Sequence, residues 1–525
     1  MKLKADVVIL GSGCGGSLLS LLLSKSGMTV ATVDSNIHPR FVIGESSTPL
    51  ADQMLARWAE RFDIPELLSL ATYGNWQRAH PEVICGLKRG FSYFGHVRER
   101  HAGSDDDTHA EVTMAVQALE TQQMLVAASS ADFHADTHWL RSDVDHLLFQ
   151  LAARHGVIHF QGAKSVIAES AAGWQVAGTA DGRRLCIEAP FIVDATGGAG
   201  VLLKHLRIPD QTESLKTNSR AVFAHFRDVL RVEELLDRHR ISKTQHPFCC
   251  DNAAVHHVLD DGWMWQLRFR DKTLSAGFLL AANTPGSRDS SKLSASAAGV
   301  RPEDLWQRQL DRNPLLAEQF AAAKVVRPVA GLQQTKRLQR LTTQAAGRNW
   351  AVLPNTAGFI DPLHSTGIAH TLSGVDRLTA ILIGSRDPAS IDADALQRYS
   401  RDVTAELRYV DELIEGCYAG LPSFRLWCLW SMIYFAAATS TEQTANENSA
   451  GFLRCGDEGF RDMIRTARRQ LPQCNRPDGR NEAAVYEAAT RFEDTLRQLL
   501  QPWNHVGLLN PAAQGMYATT AAPAV

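Results

Sequence analysis

A lysine stands inside a run that reads as a buried strand. The run is Cys85-Gly86-Leu87-Lys88-Arg89-Gly90, followed by Phe91, Ser92, Tyr93, Phe94, Gly95 and His96. A buried ammonium is costly unless it is paired or has work to do. Desolvation by Phe91, Tyr93 and Phe94 brings the neutral amine within reach, and a neutral amine is a nucleophile. The ammonium form instead polarises and aims a bound partner. The plain alternative is an edge or snorkelling lysine without chemistry. A second set of residues offers phosphate and ribose recognition. Gly11, Gly13 and Gly16 fit G-x-G-x-x-G, and Asp34 follows at about twenty residues' distance. Gly11 permits the tight turn, Gly13 lets backbone approach a pyrophosphate, and Gly16 lets a helix pack closely on a strand. Asp34 would accept hydrogen bonds from ribose hydroxyls.

Those glycines do this work only between a strand and a helix. The sequence supplies both. Val7 to Leu10 form a continuous apolar strand, a helix runs through "SLLSLLLSKS" to a cap at Gly27, and "TVATVD" is a second strand. Two later segments complete the pattern. "APFIVDATGGAGVLL" is a strand ending in Asp194, then Thr196 and Gly197; "WAVLPNTAGFIDPLHSTGIAHTLSG" is a strand, a turn with Asp361-Pro362, and a helix start. This trio resembles the FAD-dependent monooxygenase-like fold, an α/β Rossmann-like architecture. The resemblance implies that Asp361 approaches the ribityl and phosphate region, with Arg40, Asp194 and Gly197 also at the cofactor. It also implies that the helix after Asp361 aims its dipole at the flavin. Arg141, in "WLRSDVDHLLFQLA", matches a helix start that contacts FAD in such enzymes, or is a surface arginine near a helix start. No second dinucleotide fingerprint is visible, which suggests reduced flavin supplied by a separate flavin reductase.

Four stretches then occur in the order seen in flavin-dependent halogenases: "HPRFVIGESSTPL", "CGLKRGFSYFGH", "GWMWQLRF" and "GFIDPLHSTGI". The chain resembles that family, in its phenol-halogenating branch, over most of its length and least after about residue 440. The resemblance implies that reduced FAD, O2 and a halide (chloride or bromide) give hypohalous acid, which travels to a lysine and then to an electron-rich aromatic ring. Lys88 matches that lysine, which either hydrogen-bonds the acid or carries the halogen as a haloamine. Thr366 and Gly367 match the halide-binding segment, through backbone N–H groups at a helix start. His364 stands where the indole-acting branch has a glutamate; it acts as base, orients substrate, or packs on the flavin edge. Glu45 matches a glutamate that couples flavin and halide binding, or caps a loop as a buried acid. Trp263 and Trp265 match the tryptophans that wall the substrate off from the flavin. The family's Trp-x-Trp-x-Ile-Pro departs here to end in Leu267-Arg268, which puts a mobile cation, open to pairing with an acid, in place of a stiffening proline. Two other readings stay open: a related flavin monooxygenase or dehydrogenase, and a non-catalytic FAD-binding partner protein.

Bulk properties set the frame. A chain of 525 residues holds two or three packed modules. The expected division is an FAD-binding domain over 1–400, with a substrate-side sheet inserted at about 75–130 and 215–345, and a helical module over 401–525. The net charge of -3 gives no electrostatic case for nucleic acid. The basic run from Arg465 to Arg469 reads as a solvated helix face. Nine cysteines form no CxxC and no zinc spacing with histidines, so no metal is expected and the thiols read as reduced. "ADVVIL" begins close to the first residue without room for a signal peptide, and "LWCLWSMIYFAAA" is too short to span a bilayer. A cytoplasmic protein with no integral membrane segment is expected, with a homodimer allowed. "ERHAGSDDDTHAE" and "NTPGSRDSSKLSASAAG" read as loops, and the tail "AAQGMYATTAAPAV" as frayed. The aromatic substrate, free or carrier-bound, is not named by the sequence.

Overall fold

Val7–Leu10 and Val30–Val33 are buried at every residue, as an apolar strand covered on both faces must be. In the computed structural model, which describes residues 2–96, 108–171, 173–180, 182–282, 300–385, 391–444, 451–474 and 482–520, they lie side by side in a six-stranded sheet. Phe191–Asp194 pairs with Val7–Leu10 on the other side, Trp350–Val352 follows it, and all four run parallel. Ile158–Phe160 extends the sheet at one edge and Ala346–Gly347 at the other. The helix Cys14–Lys25 crosses between the first two strands and ends as the sequence predicts. Gly27 takes φ +87°, Met28 N–H reaches the Leu23 carbonyl at 3.2 Å and Gly27 N–H the Ser24 carbonyl at 3.0 Å, a left-handed cap. The helices Arg141–Arg154 and Thr366–Gly384 pack against Cys14–Lys25. A separate four-stranded sheet holds Lys2–Lys4, Arg183–Ala189, Gly173–Ala180 and Lys164–Ser170. These elements belong to one unit, Met1–Ile84 with Trp139–Leu215 and Gln339–Val410.

The second unit gathers Cys85–His138, Lys216–Leu338 and Asp411–Val525. Its main sheet has the order Lys324–Arg327, Ser219–Arg227, Leu274–Ala281, Gly262–Arg268, Ala254–Leu259, Gly90–Gly95, Gln123–Ala127 and Met516–Tyr517. The strand alternation gives the two faces different work. Phe94, Val255, Met264 and Phe278 face apolar clusters that include Leu235, Leu315, Leu305 and Trp306. Register puts Phe91, Tyr93, His256, Trp263 and Trp265 on the opposite face. There the Phe424–Gln443 helix meets them: Tyr434 and Phe435 sit 6.2 and 5.5 Å from the Phe91 ring, both edge-on.

Several local expectations change. The tail is not frayed through residue 520. Met516–Tyr517 adds a strand beside Gln123–Ala127, and Thr520 donates to the Ala127 carbonyl through both N–H and hydroxyl at 2.8 Å. The edge of Gln123–Ala127 offers unpaired backbone groups, and the tail satisfies them. The polar run from Glu99 is not wholly a loop, because the helix Thr108–Thr121 begins inside it. Its earlier part lies outside the described residues, as does the expected loop at 283–299. The "LWCLWSMIYFAAA" run is a helix buried along nearly its whole length, as expected. Among the described residues no helix is long and apolar enough to cross a membrane.

Candidate active site

The helix Cys14–Lys25 starts with no side-chain cap and no acid in its first turn. Its first N–H groups are therefore available to an anion. Gly13, the cap residue, faces charge: a Cβ there would lie 3.2 Å from Arg40 Nη2 and 3.5 Å from Asp145 Oδ2. Gly11 turns at φ +92°, and a Cβ would meet the Ala195 carbonyl oxygen at 2.7 Å. Arg141 opens its helix and donates to both oxygens of Asp145, at 2.7 and 3.0 Å, and to the Gly44 carbonyl at 3.0 Å. Burial alone would make Arg141 a weaker base; the Asp145 carboxylate outweighs it and raises its pKa. Asp34 accepts from Ser12 N–H at 2.8 Å, Ser12 Oγ at 3.0 Å and Asn36 N–H at 2.8 Å, with Arg40 at 3.6 Å. Burial pushes its carboxyl up, but the N–H donors and Arg40 bring it below the usual range. A cradle without Cβ atoms, a helix start without an acid and two guanidinium groups fit the diphosphate of FAD.

The other residues assigned to the cofactor end differ among themselves. Asp194 spends its carboxylate locally: Oδ1 accepts from Thr196 N–H and Oγ1 at 2.8 and 2.6 Å, and Oδ2 from Leu202 N–H at 2.7 Å. It clamps the turn after its strand, so an approach of its carboxylate to the cofactor would cost these bonds. Gly197 N–H is likewise taken, by Thr356 Oγ1 at 3.0 Å. Asp361 is buried and holds Leu363 N–H at 3.0 Å. His364 and Ser365 follow with φ +64° and +56°, two successive left-handed residues that are not glycine. Such strain persists only where surroundings enforce it. It delivers the chain into the helix Thr366–Gly384, and Thr366 and Gly367 line a small cavity with Phe359, Asp361 and His370. Glu45 is buried, and its charge acts on Arg141. Sequence reading missed what backs this helix start. His370 Nε2 lies 3.0 Å from Glu406 Oε2, and Arg377 grips the same carboxylate at 3.0 and 2.7 Å. Burial would raise Glu406; Arg377 and His370 reverse this and hold it at about 2.

In the second unit Lys88 is fully buried, at 0 % exposure. Its strand, Cys85–Lys88, pairs with Asp136–Trp139. Lys88 Nζ stands 3.8 Å from Asp136 Oδ2 and 4.4 Å from the centre of the Phe91 ring. The aromatic face continues from Phe91 to His256 at 5.8 Å, to Trp263 at 5.1 Å and to Trp265 at 6.3 Å between ring centres. Gly277 makes room for Trp265, since a Cβ there would fall 2.2 Å from its ring. Trp263 Nε1–H donates to Tyr418 Oη and Trp265 Nε1–H to Ser275 Oγ, both at 3.3 Å, which satisfies two buried donors. Burial first, and then the positive charge of Lys88, hold His138 at a pKa of about 3. Burial likewise holds His256 at about 3, helped by Lys88. Glu442 is pushed well above the carboxylate range by burial and then by Asp136. Asp136, His138, His256 and Glu442 were not singled out from the sequence. The signal for two of them was legible: in "DTHW" Asp136 and His138 share one strand face among apolar neighbours.

One expectation about the tryptophan motif is corrected. Arg268 is not a mobile cation. Its Nε donates to Asp251 Oδ1 at 2.7 Å, and its Nη groups bond the Val229 and Leu230 carbonyls. Asp251 also accepts Val232 and Glu233 N–H, at the start of the helix Val232–Arg238. The acid pairing expected for Arg268 is present, and it fixes the end of the tryptophan strand.

A glycine cradle at a helix start on a parallel sheet defines a Rossmann-like dinucleotide-binding protein. The family model described as tryptophan halogenase matches residues 6–420. The chain belongs to that family, and it is an FAD-dependent halogenase. Tetracycline 7-halogenase of Kitasatospora aureofaciens is 26% identical over 80% of this chain and 71% of its own. Monodechloroaminopyrrolnitrin halogenase PrnC of Pseudomonas fluorescens is 26% identical over 87% of this chain and 76% of its own. The crystal structure of the halogenase PltM with phloroglucinol and FAD superposes with a TM-score of 0.81, covering 98% of this chain and 99% of that one at 22% identity. A crystal structure of a flavoprotein/dehydrogenase from Cytophaga hutchinsonii has a TM-score of 0.58 at 18% identity, covering 81% of this chain and 88% of that one.

Proposed function

We propose that this halogenase works as a two-component enzyme on a phenol-like aromatic substrate, with Lys88 as the group that receives and aims the halogen. Reduced FAD, delivered by a separate flavin reductase, would supply the two electrons that bring O2 to the peroxide level, at which it oxidises halide to hypohalous acid. The N–H groups at the start of Cys14–Lys25, with Arg40 and Arg141, bind the cofactor diphosphate, and Glu45 acts on it through Arg141. Thr366 and Gly367 N–H groups hold the halide, with Asp361 and His364 fixing the turn that presents them. Trp263 and Trp265 form a wall that keeps substrate and cofactor apart. At Lys88 an N–H group bonds the hypohalous oxygen and draws electrons from the halogen, which the ring then takes.

The observation that carries this reading is the complete burial of Lys88 against Phe91 and Asp136. A lysine without work would have no reason to accept that cost. A phenol-like ring is favoured by the likeness to PltM, whose structure holds phloroglucinol. Two relatives named for a pyrrole on a peptidyl carrier protein keep a tethered substrate open. The test is incubation with FAD, a flavin reductase, NADH, O2 and bromide against a phenol panel, read by mass spectrometry. Bromide-dependent products are expected from the wild type, and a loss of at least about 100-fold is expected in Lys88→Ala with FAD still bound. Halogenation retained in Lys88→Ala would remove Lys88 from the reaction.

A further inference from the structure

We propose that Asp136 is a positioning residue that holds Lys88 as an ammonium ion, so that Lys88 delivers hypohalous acid through a hydrogen bond and does not become a haloamine. The inference rests on the reading of Lys88 given above. Three features of the second unit carry it. Lys88 Nζ and Asp136 Oδ2 face each other at 3.8 Å with both side chains buried. Phe91 presents its ring at 4.4 Å, and an aromatic face attracts a cation and not a neutral amine. Arg89, the next residue along, is paired with Asp132 at 2.8 Å, and four other titratable groups near the pair are driven toward their neutral forms. His138 on the Asp136 strand and His256 on the adjoining sheet are held at about 3, Tyr434 of the Phe424–Gln443 helix is raised, and Glu442 of the same helix is raised into its acid form. Lys88 and Asp136 thus face each other as an ion pair among groups driven toward neutrality.

Haloamine formation would undo that balance. Lys88 would have to lose a proton, its nitrogen would bond the halogen, and water would leave. Asp136 would then lose the Lys88 cation in a buried site. The hydrogen-bonded route keeps the pair intact. Ring electrons take the halogen, the O–X bond breaks and the C–X bond forms. The departing hydroxide, held by a Lys88 N–H, takes the proton that the ring releases and leaves as water, so Lys88 keeps its charge. The sum is aromatic C–H plus HOX giving C–X plus H2O, with no further oxidant.

The test uses the full-length enzyme with FAD, reductase, bromide and a phenol, and Asp136→Asn and Asp136→Glu variants. Product formation in Asp136→Asn should fall roughly tenfold or more, with partial rescue in Asp136→Glu. The alkaline limb of its kcat profile should move to lower pH. Protein carrying 15N-lysine should show a Lys88 ammonium resonance, assigned by its loss in Lys88→Ala, that persists to higher pH in the wild type than in Asp136→Asn. Peptide mass spectrometry after turnover without aromatic substrate should find no halogen on Lys88. A halogenated Lys88, or an Asp136→Asn enzyme as fast as the wild type, overturns the proposal. If Asp136→Asn does not bind FAD or fold, Asp136→Glu and the two wild-type measurements decide. If Lys88→Ala stays active, the reading of Lys88 fails; if it is inactive while Asp136→Asn is unimpaired, only the role of Asp136 fails.

Discussion

The buried charge cluster around Glu406 in one unit and that around Lys88 in the other are built differently. Around Glu406 three contacts are short: Arg377 binds it through two nitrogens at 3.0 and 2.7 Å, and His370 adds a third at 3.0 Å. The gain from these contacts exceeds the desolvation cost, so Glu406 is held at about 2. Around Lys88, the acid is 3.8 Å away, beyond hydrogen-bond length, and an aromatic ring takes up another side. Here desolvation dominates, and Glu442 and the two histidines are driven to their neutral forms. The first arrangement is that of a brace behind a helix start. The second keeps an ion pair in a medium where its field is little screened. A residue meant to act on a reagent needs the second arrangement.

The contrast breaks if the brace turns out dispensable. Glu406→Gln should cost about 3–5 kcal/mol, the usual penalty for leaving a buried cation without its partner, as read by urea unfolding at neutral pH. The pH dependence has a defined sign. Because Glu406 is lowered on folding, its stabilisation is present above the ordinary value of 4.5 and is lost as pH falls toward about 2. The gap between wild type and variant should therefore close on acidification. A gap that widens would mean that the brace does not depend on ionised Glu406. A smaller loss, about 1.5–3 kcal/mol, is expected for Arg268→Ala, which leaves Asp251 without its 2.7 Å partner but still bonded to the helix N–H groups. That loss should come with lower halogenation if Arg268 stands in for the family's proline by fixing the tryptophan strand. Product assays on the variant compare directly with its unfolding midpoint.

The nucleotide half was legible because its signals are local. The spacing of Gly11, Gly13 and Gly16, the apolar strands and the cap at Gly27 are set by chain geometry over a few residues. Lys88 was legible for a related reason, since a charge inside an aromatic strand is an anomaly that one window of sequence displays. The link to its partners was not. Asp136 arrives by strand pairing and Glu442 from a helix more than three hundred residues further on, and no short-range pattern links either to Lys88. Glu406 was hidden in the same way, as one acid among many on a long amphipathic helix. The tail was misread because its strand is short and gains its stability from a distant edge. Asp194 shows the opposite limit: a motif position located correctly, with a carboxylate committed to its own turn.

The smallest effect tests the lysine side of the comparison most directly. Glu442 is raised well above its ordinary 4.5, first by burial and then by Asp136, with Lys88 opposing. A folded state that binds this proton more tightly than the unfolded chain is most favoured below 4.5 and loses stability as pH rises toward the folded value. At neutral pH the wild type therefore carries a penalty that a neutral amide does not. Glu442→Gln should raise stability by about 1 kcal/mol at neutral to alkaline pH, and the difference should vanish near pH 4. Thermal melts across that range measure it. If the glutamine variant is instead destabilised at every pH, Glu442 is ionised and shares Lys88 with Asp136. The lysine cluster would then be a network like that of Glu406, and its contrast with the brace would be gone.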